Sequence, residues 1–277
     1  MNTVSIVLFK TQKDVITELL SCVKQSGINI IYIIDNSPDD RLRFLEKKYP
    51  EIRYIHNANI GYGAAHNIAL HEAMDAESDF HLILNPDIRF DPSIISFLLT
   101  YMKDNSDVAY ILPKVVYPDG ECQYLCKLLP TPFDLIFRRF MPKIRFIKKL
   151  NDRYTLKDSG YNTILNPPCL SGCFMLLRMS TIKEYNIFFD ERFFMYCEDF
   201  DFIRRLHRFS KTIYLPDVSI IHDHAKESYK SKKMLWKHIK SAVKYFNKWG
   251  WFFDAERKRM NKQIIDEVKA YNRSGWR

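Results

Sequence analysis

Apolar residues along this chain fall into two rhythms: short runs rich in Val and Ile, and longer stretches in which they recur every three or four positions. The runs "VSIVLF" at 4–9, "INIIYIID" at 28–35, "IRYIHN" at 52–57 and "FHLILNPD" at 80–87 predict strands. A helical pattern reaching about Lys24 separates the first two, and "GAAHNIALHEAM" separates the last two. The first 90 residues therefore predict a βαβαβαβ series, an α/β fold with a mostly parallel central sheet. Sheets of this kind bind ligands beyond the carboxyl ends of their strands. There the sequence puts Asp35, Asn36, Asn57, Asn59, Asn85 and Asp87.

Farther on, "DPSIISFLLTYMKDN" at 91–105 predicts a helix with Pro near its start. "VAYILPKVVYPDGE" predicts a strand and turn, "CLSGCFMLLRMSTI" resumes the sheet pattern, and "TIYLP" is a last short strand. Residues 130–165 keep no period and predict an irregular or partly helical insertion. The stretch "FFDERFFMYCEDFDFIRRL" predicts a helix from Glu198, with Phe202, Leu206 and Phe209 facing the core and Asp201 paired to Arg204 or Arg205. Asp190 fits either a turn or an acceptor site.

Charge changes the picture at the carboxyl end. The formal net charge is +9, but residues 226–277 hold 15 Lys and Arg against 5 Asp and Glu, so the rest of the chain is close to neutral. That divides the chain into a unit over 1–225, with halves at about 1–110 and 111–225, and a basic helical tail over 226–277. In "KKMLWKHIKSAVKYFNKWGWFF", Leu235, Ile239, Ala242, Phe246 and Trp249 share one helical face, and Lys233, Lys237, Lys240, Lys244 and Lys248 the other. Such a helix can lie on an anionic membrane surface or dock its apolar stripe on the main unit. Nucleic acid is a poor partner, because no recognition module accompanies the charge. The six cysteines include two C-x3-C pairs, a spacing that suits buried reduced thiols better than zinc. The start of the chain has no basic leader or cleavage site, and no apolar run approaches the roughly 18 residues of a membrane span. The expectation is a cytoplasmic protein.

Four clusters can carry chemistry. "LILNPD" at 82–87 ends a strand in oxygen ligands suited to Mg2+ or Mn2+, although Asn-Pro-Asp is also ordinary turn chemistry. "NANIGYGAAHN" places Gly61 and Gly63 before a helix, yet the G-x-G-x-x-G spacing fails at His66, which argues against a nicotinamide fold. Glu198 and Asp199 follow "FFMYC", and aromatic surroundings raise a carboxylate's pKa and prime it as a base. His222 and His224 in "HDHAKES" can complete a metal site or contact a diphosphate.

In order, "IIDNSPDD", "NIGYGAAHNIAL", "LILNPDIRF", "SGCFMLLR", "FDERFFMYCEDFDFIRRL" and "HDHAKES" are together similar to family 2 glycosyltransferases of the GT-A fold, in particular their bacterial rhamnosyltransferase-like branch, over residues 3–228. The resemblance implies an inverting transferase with a nucleotide-sugar donor, dTDP- or UDP-linked, and a polyprenyl-diphosphate-linked glycan acceptor. L-rhamnose is the leading sugar, with galactofuranose or an N-acetylhexosamine as alternatives and a non-catalytic membrane scaffold as the reading from another class. It also implies that Asp35, Asn36 and Ser37 contact base and ribose, that Gly61, Gly63 and Asn67 shape the donor pocket, and that Asn85 and Asp87 stand where the family has its D-x-D motif. Asp87, with His222 or His224, would hold Mg2+ or Mn2+. Gly172 and Tyr196 would lie on the acceptor side, Asp199 would be the base, and Glu198 would position Asp199 or the acceptor. The place of action would be the inner face of the cell membrane, with the enzyme bound peripherally and serving surface-polysaccharide synthesis.

Overall fold

The computed structural model describes residues 1–135, 145–223 and 232–273. Strands β1 (Asn2–Leu8), β2 (Ile30–Asp35), β3 (Ile52–His56) and β4 (Phe80–Leu84) alternate with helices α1 (Lys13–Gln25), α2 (Phe44–Lys48) and α3 (Tyr62–Asp75). This is the predicted series, and its cause is local. In α1 the apolar residues Ile16, Leu19, Leu20 and Val23 form one buried stripe, and the strands carry near-continuous Val, Ile and Leu because both sheet faces are covered. The chain continues through β5 (Ile88–Arg89), α4 (Ser93–Asp104), β6 (Val108–Val116), α5 (Pro132–Leu135), α6 (Arg145–Tyr154), β7 (Phe174–Arg178), α7 (Met179–Tyr185), α8 (Glu198–Leu206) and β8 (Lys211–His222). Two further helices, α9 (Lys232–Trp249) and α10 (Ala255–Arg273), follow.

The sheet runs β3-β2-β1-β4-β7-β6-β8-β5. Its first four strands are mutually parallel, as is the β6–β8 pair. The expectation of a mostly parallel sheet holds there, whereas β7 is antiparallel to both β4 and β6, and β5 is antiparallel to β8. The reversal has a consequence for the crevice. Because Leu84 at the end of β4 pairs with Phe174 at the start of β7, the exit of one strand and the entry of the other lie side by side. Likewise Ile88 pairs with His222, which brings the end of β8 next to Asp87.

The tail helices are packed on the rest of the chain. Ala242, Tyr245 and Phe246 of α9 and Met260 of α10 are buried with Leu129, Phe193, Cys197 and Phe200 in a second apolar cluster. Lys248, expected on a solvated face, instead reaches Asp190 at 2.7 Å and Asp201 at 2.6 Å, and the Trp249 indole donates to Asp201. Arg204, 1% exposed, is clasped by Asp254 and Glu256. Asp201 takes Arg205 at 2.9 Å, so of the two expected arginines only Arg205 is its partner. Burying these carboxylates requires such pairing.

Two other expectations change. Phe209 is 51% exposed and stacks on Tyr185 rather than joining the core, because α8 ends before it. Asp190 pairs with Arg192 and Lys248, which hold its carboxyl well below the usual range despite partial burial, so it anchors α9 to this stretch. All six cysteines are free thiols. No helix among the described residues is long and apolar enough to cross a membrane.

Candidate active site

Strand order reverses at β1, since β2 and β3 lie to one side and β4 to the other, and a crevice is expected beyond the carboxyl ends there. Along one wall, Asp35 closes β2. It is fully buried, its Oδ1 accepts the Ser37 amide at 2.9 Å, and its Oδ2 accepts the Tyr54 hydroxyl. The Asn36 amide donates to Gly61 O at 3.2 Å and accepts from Asn57 at 2.6 Å, while Ser37 Oγ accepts the Lys10 amide. Asp35, Asn36 and Ser37 thus tie together the ends of β1, β2 and β3. Each Asp35 oxygen takes one donor from this frame and can accept a second from a ligand.

Gly61, Gly63 and Asn67 hold the neighbouring loop. A Cβ on Gly61 would stand 2.3 Å from Phe194 O, and its φ of +100° is one that side chains disfavour. A Cβ on Gly63 would meet Phe189 Cβ at 2.8 Å. Asn67 Oδ1 accepts the Phe189 amide at 2.8 Å and its Nδ2 donates to Phe189 O at 2.9 Å. The sequence points to these three as pocket-shaping residues. They act by fastening residues 189–194 to α3, and the Asn67 amide is fully occupied in doing so.

Asn85 and Asp87 follow β4. The Tyr62 hydroxyl lies 2.9 Å from Asn85 Oδ1 and 2.8 Å from Gly172 O, bridging the exit of β4 to the entry of β7. Asp87 Oδ1 is 3.4 Å from His222 Nε2. His222 is buried and its backbone and ring are clasped by Gln123, which donates to His222 O at 2.8 Å and faces Nδ1 at 3.2 Å. Burial opposes charge on this imidazole, but the Cys173 and Asp87 side chains outweigh it and raise its pKa to about 10. One carboxylate and one imidazole, the latter only after giving up its proton, suit a hard or borderline cation whose other positions come from phosphate oxygens. Groups of three or more metal-binding side chains are absent among the described residues. His224, the other histidine proposed from sequence, lies outside the described residues.

Glu198 and Asp199 open α8. Two consecutive non-glycine residues in left-handed conformation, Tyr196 at φ 69° and Cys197 at φ 66°, make the corner that delivers them. Each such residue costs about 1 kcal/mol or more, and the Tyr196 ring rests edge-on against His238 of α9. Asp199 Oδ2 accepts the Gly172 amide at 3.2 Å and Oδ1 its neighbour Phe200's amide at 2.9 Å. Burial raises its pKa, and Lys127 together with these amides works against that rise. Glu198 is buried with Oε2 lacking any hydrogen-bond partner among the described residues, and burial followed by the Asp199 charge pushes its pKa well up. Burial thus raises both acids, Glu198 well above its ordinary value, while Lys127 and the two amides favour the ionised form at Asp199.

Sequence reasoning missed Tyr62, Gln123 and Lys127. The partners that place them at the site are mostly distant along the chain, Gly172 for Tyr62, His222 for Gln123 and Cys169 for Lys127, so no local pattern marks them.

Comparisons with known proteins bear on the family and the fold. E. coli K12 "Rhamnosyltransferase WbbL" is 29% identical over 252 residues, spanning 87% of this chain and 90% of that protein. Mycobacterium tuberculosis "N-acetylglucosaminyl-diphospho-decaprenol L-rhamnosyltransferase" is 25% identical over 223 residues, spanning 74% and 70%. Among solved structures, S. aureus TarS superposes with a TM-score of 0.58 at 16% identity, covering 99% of this chain and 73% of that one. The mannosyltransferase PcManGT of Pyrobaculum calidifontis, in complex with GDP-Man and Mn2+, gives 0.57 at 14% identity, covering 88% and 64%. These likenesses establish the GT-A fold. Residues 3–185 match the family described as glycosyl transferase family 2. With that match over most of the chain, the protein belongs to family 2 of the glycosyltransferases and is rhamnosyltransferase-like within it.

Proposed function

We propose that the protein transfers L-rhamnose from dTDP-rhamnose, with inversion at the anomeric carbon, to a polyprenyl-diphosphate-linked glycan during synthesis of a surface polysaccharide such as O-antigen or capsule. The observation that carries this reading is the acid pair at the start of α8, in which Asp199 accepts the Gly172 and Phe200 amides and feels the Lys127 charge. The sugar and acceptor rest on the two rhamnosyltransferase relatives, one of which is named for a diphospho-decaprenol acceptor.

In this reading Asp199 accepts the proton of the acceptor hydroxyl while that oxygen attacks the anomeric carbon. The bond from that carbon to the diphosphate oxygen breaks on the opposite face, and the proton later passes from Asp199 to solvent. Glu198, protonated, offers a hydrogen bond rather than a second charge beside the base. Asp87 and His222 would hold Mg2+ or Mn2+, which when bound neutralises charge building on the leaving diphosphate. The frame of Asp35, Asn36 and Ser37 bounds the nucleoside end, and Gly172 and Tyr196 the acceptor side.

Such an acceptor sits at a membrane, and the tail over 226–277 is suited to an anionic surface. Phe252 and Phe253 are 77% and 97% exposed, in a turn fixed by Gly250 at φ +95° and by Arg257, which donates to Trp251 O and Phe252 O. Rigid, outward-facing rings beside a basic helix pair favour the headgroup region. Transfer of labelled rhamnose from dTDP-rhamnose to a lipid-diphosphate acceptor, with UDP-galactofuranose and UDP-N-acetylhexosamines as rival donors, tests the reading; transfer from a rival alone would replace the sugar.

A further inference from the structure

We propose that Lys127 is a binding residue for the acceptor, receiving the phosphate that follows the acceptor sugar. The inference rests on the acceptor class proposed above and goes beyond it by naming the residue that reads the acceptor's charge.

Lys127 belongs to residues 122–128, an extended segment pinned at both ends of the crevice. At one end Gln123 clasps His222. At the other the Lys127 amide donates to Cys169 O at 2.8 Å, three residues from the Gly172 amide that holds Asp199. The Lys127 ammonium lies 5.2 Å from the ring centroid of Phe200, the residue after Asp199. Contacts then run in series from Phe200 and Asp199 to Gly172, Tyr62, Asn85 and finally the Asp87–His222 pair. Asp199 therefore stands between two places able to take an anion: the Asp87–His222 end and the Lys127 end.

Lys248, Lys211, Lys262 and Lys24 each meet a carboxylate, whereas Lys127, like Lys237 over Phe194, lies over a ring; of these two, Lys127 is the one placed against the residue after Asp199. Lys127 is half-buried, yet its ammonium meets no carboxylate or carbonyl among the described residues, and only an aromatic face lies beneath it. An ammonium that makes no hydrogen bond of its own can take a ligand anion without giving up a partner. It sits too close to Asp199 to be indifferent to it, since its charge opposes the burial-driven rise in that carboxyl's pKa. With the attacking hydroxyl at Asp199, the phosphate on the anomeric carbon of the same acceptor sugar is one pyranose ring away. A flexible lysine can meet it there as a point charge.

The test measures calorimetric binding of two acceptors to the full chain without donor: a long-chain alkyl-diphosphate N-acetylglucosamine and the uncharged alkyl N-acetylglucosaminide of equal chain length. Lys127→Met should weaken the diphosphate acceptor about 10- to 100-fold, the scale of a charge-assisted contact, and leave the uncharged one unchanged. Lys127→Arg should retain most of the preference, and thermal unfolding of each variant checks folding. Equal weakening of both acceptors, or no weakening of either, overturns the assignment while leaving the transferase reading intact. Failure of the unaltered protein to bind the diphosphate acceptor at all would instead remove the acceptor class, and with it this proposal.

Discussion

At the residue scale, the proposed function makes activity depend on how tightly Asp199 is held. A Cβ on Gly172 would stand 3.1 Å from Asp199 Cβ and 3.6 Å from Oδ2, close enough to displace the carboxylate by a few tenths of an ångström. Gly172 does not have positive φ, so alanine suits its backbone. Gly172→Ala should therefore lower kcat by about tenfold or more, since small misplacements of reacting groups are costly, while the unfolding temperature stays near that of the parent. Unchanged kcat would mean that Asp199's position is not critical. The acids themselves were legible in the sequence, because "CED" after a run of aromatics has no structural need for two adjacent carboxylates. What favours the ionised form at Asp199 was not legible, because it depends on the Gly172 amide and Lys127, distant along the chain.

At the element scale, regular segments read well and composite ones did not. The first four strands declare themselves through β-branched runs, but the antiparallel entry of β7 follows from where a long insertion returns, which no periodicity encodes. The tail helix shows the same limit. Its two faces were visible as an apolar stripe and a row of lysines, yet Lys248 and Trp249 find buried acids on the 188–206 stretch, so part of the basic face is structural. What the packing leaves outside is the turn between α9 and α10. Replacing Phe252 and Phe253 by Ser should weaken sedimentation with anionic vesicles at least about tenfold, because each inserted ring contributes roughly 1.5–3 kcal/mol. The fold should be unaffected, as both side chains are exposed. Undiminished sedimentation would place membrane contact elsewhere.

At the scale of the whole molecule, the sheet is joined to α3 by a buried polar chain. His81 Nδ1 meets Thr3 Oγ1 and Nε2 meets Ser5 Oγ, each at 2.8 Å, and Ser5 Oγ meets His66 Nδ1 at 2.7 Å. Burial lowers the His81 pKa to about 3, and that of His66 lies well below its ordinary value. A histidine depressed in the folded state favours folding above its unfolded pKa near 6.5, and that contribution is lost as pH falls from there toward 3, because the unfolded chain takes up the proton first. Glu198, raised by burial, acts in the opposite sense, so comparison with a variant isolates the effect. Between pH 7.5 and 5.5 the parent should lose about 1.4 kcal/mol more stability toward urea than His81→Gln. Equal losses would show that His81 is protonated in the fold.

The proposed function turns on Asp199 as the base of a sugar transfer. The most direct measurement is turnover of labelled dTDP-rhamnose onto a lipid-diphosphate acceptor by the parent and by Asp199→Asn, with donor affinity measured alongside. The account predicts transfer by the parent, a fall in kcat of about 10²- to 10⁴-fold in the variant, and donor binding largely retained. An Asp199→Asn protein that turns over within a few-fold of the parent would contradict it.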